Sequence, residues 1–188
     1  MGRKPGQSRQ RMLDSTVALL RERGPSGVSI DAVLSHSGAP RGSVYHHFPG
    51  GRNELIVSAV RQAGDYIGAL IDQVVNDADS HTALQRFVGL WKQLLVDSDY
   101  RAGCPVVALA VDNREDLPEA SGVVREIFAC WHDKLRDLLV ANGVPADRAR
   151  RLATLAVAAI EGAVILCRAE RSADPLDQVV TEIAPLFR

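Results

Sequence analysis

Apolar residues recur at helical spacing along almost the whole chain, and glycine, proline and short polar runs punctuate them. Between Gln7 and Arg23, Leu13, Val17 and Leu20 fall at i, i+4 and i+7 with Met12 and Leu19 alongside. Gly24 follows, where a glycine can close the helix in a left-handed conformation. Ser29 is a good N-cap for a short helix from Ile30 to His36, which Gly38 ends. Pro40 suits the first turn of a third helix running through Val44 and Tyr45 to about Phe48. Beyond the break Pro49-Gly50-Gly51, a long helix from about Asn53 to Val75 carries Leu55, Ile56, Ala59, Val60, Ala63, Ile67, Leu70, Ile71 and Val74, a length that suggests a connector. Ser80 can cap the next helix, with Leu84, Phe87, Val88, Trp91, Leu94 and Leu95 on one side. A compact apolar run, Cys104 to Val111, precedes helices over Glu119–Ala141 and Ala146–Glu170, and a last one from Asp174 (N-cap) and Pro175 (first turn) to Arg188. No alternating strand and no repeat is visible. The pattern predicts an all-α protein of about nine helices, with a three-helix N-terminal domain over 1–52 and a helical body over 53–188.

Composition narrows the class. The 188 residues are 46% apolar and 24% charged, with a net charge of −1, which argues for a packed globular chain and against disorder. No stretch reaches the roughly 20 uninterrupted apolar residues of a membrane span, and the basic start leads into no signal-like apolar segment. No membrane partner is therefore expected, and the cytoplasm is the expected location. The three cysteines, Cys104, Cys130 and Cys167, form no close pair and no metal-ligand spacing with the five histidines, so reduced thiols and no metal or cofactor are expected.

The small net charge conceals an asymmetry. Residues 1 to 52 hold eight Arg or Lys against three acids, a net +5, while the remainder holds 14 basic and 20 acidic residues, a net −6. A basic head on an acidic body suits a polyanion.

The segment Ser29 to Phe48 carries the candidate chemistry. A short helix, a tight turn at Ser37-Gly38-Ala39 and a second short helix have the spacing of a helix-turn-helix, and Gly38 can take the left-handed turn. Ile30, Val33, Leu34 and Val44 can hold the pair together and against Leu13 and Val17, and Phe48 is expected to pack into the domain. Arg41, Ser43, Tyr45, His46 and His47 are left near the exposed side. Arginine suits phosphate or guanine, and hydroxyl and imidazole groups can reach phosphates or base edges. Ser29 also presents a helix N-terminus to which a phosphate can dock.

The string Ser29-Ile30-Asp31-Ala32-Val33-Leu34, followed by Gly38-Ala39-Pro40-Arg41-Gly42-Ser43-Val44-Tyr45-His46-His47-Phe48, resembles the signature of the TetR family of transcriptional regulators. Met12-Leu13-Asp14 and Arg21-Glu22-Arg23-Gly24 resemble that family's first helix. The resemblance covers residues 7 to 57. Leu34 departs from it, standing where the family commonly has a small alanine. The link Pro49-Gly50-Gly51-Arg52 is one residue longer than usual. That link, with Gly103-Cys104-Pro105-Val106 and Ala110-Val111-Asp112, resembles the LmrA/YxaF-type branch. The resemblance implies a homodimeric repressor without enzymatic activity that binds a pseudo-palindromic operator and is released by a small, hydrophobic effector. It implies that Arg41, Ser43, Tyr45 and His46 enter the major groove while Ser29 and Arg52 clamp flanking phosphates.

The body is less legible. The resemblance implies dimerisation through the last two helices. One stripe, Leu152, Leu155, Ala156, Ala159, Gly162, Ala163 and Leu166, is rich in small residues, and Leu176, Val179, Val180, Ile183 and Leu186 form a second. The alternative is that both bury into the chain's own core. Trp91, Leu94, Leu95, Val107, Phe128, Trp131, Ile165 and Leu166 can line an effector cavity, with Cys104, His132 or Glu161 as polar contacts, or can be plain core. Cys130 and His132 point apart on one helix and make no nucleophile–base pair. Two other readings stay open: a DNA-binding regulator with no small-molecule effector, and a helical enzyme or carrier, against which stands the lack of any catalytic or phosphate-binding constellation.

Overall fold

The structure, a computed structural model, describes residues 5–76, 80–112 and 117–187. Among these residues there are nine α-helices and no strand: α1 (Pro5–Arg23), α2 (Ile30–Ser37), α3 (Ser43–His47), α4 (Gly51–Asn76), α5 (Ser80–Asp97), α6 (Pro105–Val111), α7 (Ala120–Ala141), α8 (Ala146–Glu170) and α9 (Asp174–Ile183). Short 3-10 turns cover Pro25–Gly27 and Ala184–Phe187. The chain divides into two units: Met1–Asp65 with Pro105–Arg125, and Tyr66–Cys104 with Glu126–Arg188.

In the first unit α1 packs against α2, α3 and α6. Met12, Leu20, Val33, Val44, Phe48, Leu55, Ile56 and Val60 are completely buried, each contributing on the order of 1.5–3 kcal/mol of transfer free energy. Polar contacts set the register around this core. His36 Nδ1 lies 3.0 Å from Ser15 Oγ, joining α2 to α1. Gln10, Asp14 and Gln62 form a closed set of bonds of 2.8–3.0 Å that joins α1 to α4. Three boundaries differ from the sequence pattern. The third helix begins at Ser43, because Pro40–Gly42 form a turn closed by the Ser43 N–H on the Pro40 carbonyl at 2.9 Å. The fourth begins at Gly51, two residues early, where Glu54 reaches back to accept the Gly50 N–H at 2.7 Å. The 3-10 turn at Pro25 has no periodic signature at all.

In the second unit α8 packs along α9, and α5 meets both. Ala149, Ala153, Ala156, Ala163 and Val164 turn one face of α8 inward, and small side chains let the neighbouring helices approach closely. α9 stops at Ile183 because Pro185 has no N–H to continue the ladder. Ala173, rather than Asp174, is its cap residue. The expectation that no segment is apolar enough to span a membrane needs correcting for α8, which passes by length and composition; only a third of its apolar window is buried within the chain.

Candidate nucleic-acid interface and effector cavity

The helix-turn-helix is built by local chemistry. Ser29 has extended backbone angles and its Oγ accepts the Ala32 N–H at 3.1 Å, so it caps α2 as a serine should. Gly38 closes α2 with φ +61°, its N–H donating to the Leu34 carbonyl, and a side chain there would be strained. Ser37 Oγ accepts the Ala39 N–H at 3.2 Å and stiffens the turn. On α3, Val44 is buried, as is Phe48 just past its end, while Tyr45 is 60% exposed and His46 is exposed. The Arg9 guanidinium covers the Phe48 ring at 5.2 Å. Gly51, at φ +66°, lies against Tyr45: a Cβ on it would stand 3.6 Å from the phenol ring. The extra residue in the Gly50-Gly51 link thus bears on the orientation of an exposed aromatic.

The expected contact residues separate into two groups. Arg41, exposed and ion-paired with the equally exposed Asp31, is open to solvent, as are Tyr45 and His46. Ser29 is exposed at the start of α2. Ser43 is half-buried, its hydroxyl donating to the Pro40 carbonyl at 2.6 Å. Arg52 is half-buried; its guanidinium donates to the carbonyls of Val28 at 2.6 Å and Pro25 at 2.7 Å. These bonds fasten the 3-10 turn to α4, a structural task beside the phosphate contact expected of Arg52. The sequence pattern missed Gly51 and Arg9, and only the one-residue insertion hinted at the former.

The second unit contains an apolar cavity of about 90 Å³. α4 contributes Ile67, Ile71 and Val74, α5 Phe87 and Trp91, α7 Trp131 and Leu135, and α8 Ile160 and Glu161. Of the expected effector residues, Trp91, Trp131 and Glu161 line it. Val107 belongs to the first unit, and Phe128 and His132 stack on each other at 6.4 Å outside the lining. Cys104 is also outside the lining, although its thiol donates to the Glu161 carboxylate. Burial pushes the Glu161 carboxyl up to about 7, partly offset by that thiol, and its Oε2 is buried without a hydrogen-bond partner. Burial likewise raises the Cys167 thiol, which keeps it protonated and unreactive. Among the described residues no cluster of His, Cys, Asp and Glu could hold a metal.

α8 also carries an uncovered apolar face. Leu155, Ile165 and Leu166 are each about half exposed, with Leu152, Ala159 and Gly162 partly exposed between them. Val179 and Val180 of α9 are partly exposed. Ala163 and Ile183, expected at the same interface, are buried in their own chain because they lie on the inward faces of α8 and α9.

A three-helix head with a capped helix-turn-helix, attached to a helical body, defines a DNA-binding regulator. Comparison with known proteins makes the class specific. Residues 12–59 match the profile of the bacterial regulatory proteins of the tetR family, and residues 80–182 match that of the C-terminal domain of LmrA/YxaF-like transcriptional regulators. An uncharacterized HTH-type transcriptional regulator of Mycobacterium tuberculosis is 39% identical over 95% of this chain and 93% of its own. The HTH-type transcriptional regulator LmrA of Bacillus subtilis is 27% identical over 97% of this chain and 98% of its own. A TetR transcriptional regulator from Legionella pneumophila shares the fold with a TM-score of 0.83, at 22% identity, over 95% of this chain and 96% of that one. The chain belongs to the TetR family, in its LmrA/YxaF-like branch. This is a family of transcriptional regulators and not of enzymes.

Proposed function

We propose that the protein is a homodimeric transcriptional repressor that binds a pseudo-palindromic operator and leaves it when a small apolar molecule enters the body. The observation that carries the DNA half is the division of α3 and its approach: Val44 and Phe48 point inward, while Arg41, Tyr45 and His46 present a cation, a phenol and an imidazole outward. Ser29, at the capped start of α2, suits a flanking phosphate. The exposed stripe of α8 around Leu155, Gly162 and Leu166 supports pairing of two chains, since such a stripe exposed on a lone chain is an interaction surface. The repressor role follows relatives such as the HTH-type transcriptional repressor DhaR of Mycobacterium sp. (strain GP1), 25% identical over 93% of this chain. Operator binding puts its work in the cytoplasm.

The effector half rests on the cavity. Drug-sized pockets hold roughly 300–1,000 Å³, so a space of about 90 Å³ must widen to admit a ligand. α4 lines that space with Ile67, Ile71 and Val74 and begins three residues after Phe48. Widening that favours a displaced α4 lowers the population of dimers whose recognition helices match successive major grooves, about 34 Å apart. The small volume taken alone favours a second reading, a regulator set by its abundance with no effector. The orphaned acid in the cavity wall favours the first.

Selection of the purified protein on random duplex DNA, followed by titration of the selected site at several salt concentrations, tests this reading. A two-fold symmetric site whose affinity falls steeply with salt is expected. A folded protein that enriches no sequence overturns it.

A further inference from the structure

The cavity is apolar on every side but one. Among the described residues Glu161 is the one titratable side chain in its wall, and Phe87, Trp91 and Trp131 line the same space. Leaving a carboxylate oxygen buried and unpaired costs free energy that a glutamine, or an aliphatic residue of similar size, would largely avoid. Cys104 supplies a weak thiol donor and leaves Oε2 without any. A carboxyl group on a residue that shares a cavity wall with aromatic rings suits a specific kind of guest. Its oxygen accepts a hydrogen bond and opposes a positive charge, and the negative faces of the rings attract the same charge.

From Glu161 Oε2, unpartnered in the wall of the aromatic-lined cavity, we infer that the effector is a lipophilic amine, bound as its ammonium with the nitrogen on Glu161 and the hydrocarbon among Trp91, Trp131 and Ile160. This rests on the effector-binding reading above and specifies its chemistry. A carboxylic acid would place two acidic groups together in an apolar space and is rejected. A neutral alcohol of equal length keeps the apolar contact and can donate a hydrogen bond, but lacks the charge. An aliphatic amine, with a pKa of about 10, holds its proton in the presence of the carboxylate, so the pair is ammonium and carboxylate.

The two tryptophans of the chain both line the cavity, so intrinsic fluorescence reports on its occupancy. Full-length protein titrated with octylamine, 1-octanol and octanoate at neutral pH is expected to bind octylammonium at least tenfold more tightly than octanol, and octanoate most weakly. Glu161→Gln is expected to bring octylammonium down to the level of octanol and leave octanol unchanged. The ordering in the unmodified protein decides the matter even if the variant folds poorly. Equal binding of amine and alcohol, a preference for octanoate, or an amine preference that survives Glu161→Gln overturns the ammonium assignment while leaving an effector cavity in place. No binding by any of the three overturns the assignment and the effector reading together. Operator release is measured separately: amine binding with the expected preference that leaves the DNA complex intact overturns the assignment of the amine as effector, while leaving a cavity that binds ammonium.

Discussion

At the scale of single residues, charge and hydrogen bonding separate positions that look alike in a helical pattern. Arg41 and Arg52 are both arginines flanking the helix-turn-helix, yet one is exposed and the other donates to two backbone carbonyls. Arg52→Ala is expected to lower unfolding stability by roughly 1.5–3 kcal/mol, the worth of hydrogen bonds made by a charged group, as read by urea denaturation. Arg41→Ala is expected to leave that midpoint nearly unchanged, because an exposed ion pair contributes little, while weakening operator binding and reducing the salt slope by about one per head, about two for the dimer on its complete site. Equal loss of stability in the two variants would contradict this division. Glu161 supplies a pH signature. Its folded carboxyl ionises near 7 instead of 4.5, so the folded state prefers the protonated form. The stability this contributes is fully present below about pH 4.5 and is lost as pH rises through 7. Over that window the loss is on the order of 3 kcal/mol. Glu161→Gln, which cannot ionise, is therefore expected to melt close to the unmodified protein at pH 5 and above it at pH 8. A difference independent of pH would mean that the carboxyl does not titrate in this window.

At the scale of elements, the best test lies on α8. A Cβ added at Gly162 meets nothing within 4 Å in the single chain, and an alanine there removes a helix-destabilising glycine worth about 1 kcal/mol. In a lone chain Gly162→Ala should therefore be neutral or stabilising. In a homodimer that crosses closely at this position, Gly162→Leu should weaken association, and Leu166→Glu should yield monomers by analytical ultracentrifugation with helical content retained. Both variants remaining dimeric would move the interface elsewhere. The helices themselves are legible from sequence: α8 is expected at Ala146–Glu170, the residues it spans, because a long helical pattern ends before the Asp174-Pro175 start of the last helix. Tertiary features were not legible. Arg52 bonds to carbonyls 24 and 27 residues earlier, and no local pattern reveals that partnership. Helical period also gives the inward face without telling which inward residues meet a void. Trp131 lines the cavity and Phe128, one turn away, does not. Glu161 stood out as a polar residue on an apolar helix, but only its surroundings reveal the orphaned oxygen.

At the scale of the whole molecule, charge and the proposed two-fold symmetry together set the behaviour expected on DNA. Residues 1–52 carry a net +5 and the remaining 136 a net −6, so attraction to phosphate is concentrated in the head and the acidic body opposes non-specific coating of the duplex. One head offers a short recognition helix and few cations, which cannot by itself give tight binding at physiological salt. Two heads joined through a dimer convert the second contact into an intramolecular event at an effective concentration in the millimolar range. A complete two-fold site should accordingly bind at least 100-fold more tightly than a duplex carrying one half-site. If the dimer neutralises about six phosphates, affinity for the complete site should fall about 1,000-fold between 50 and 200 mM salt, and the half-site should show roughly half that logarithmic slope. Inserting five base pairs between the half-sites rotates them to opposite faces of the helix and should reduce binding to the half-site level. Inserting ten restores the face but stretches the spacing, and a rigid dimer should fail there too. Fluorescence anisotropy on these four duplexes separates the alternatives. If the spacing makes no difference, the heads act independently, and control by reorienting them through α4 has no physical basis.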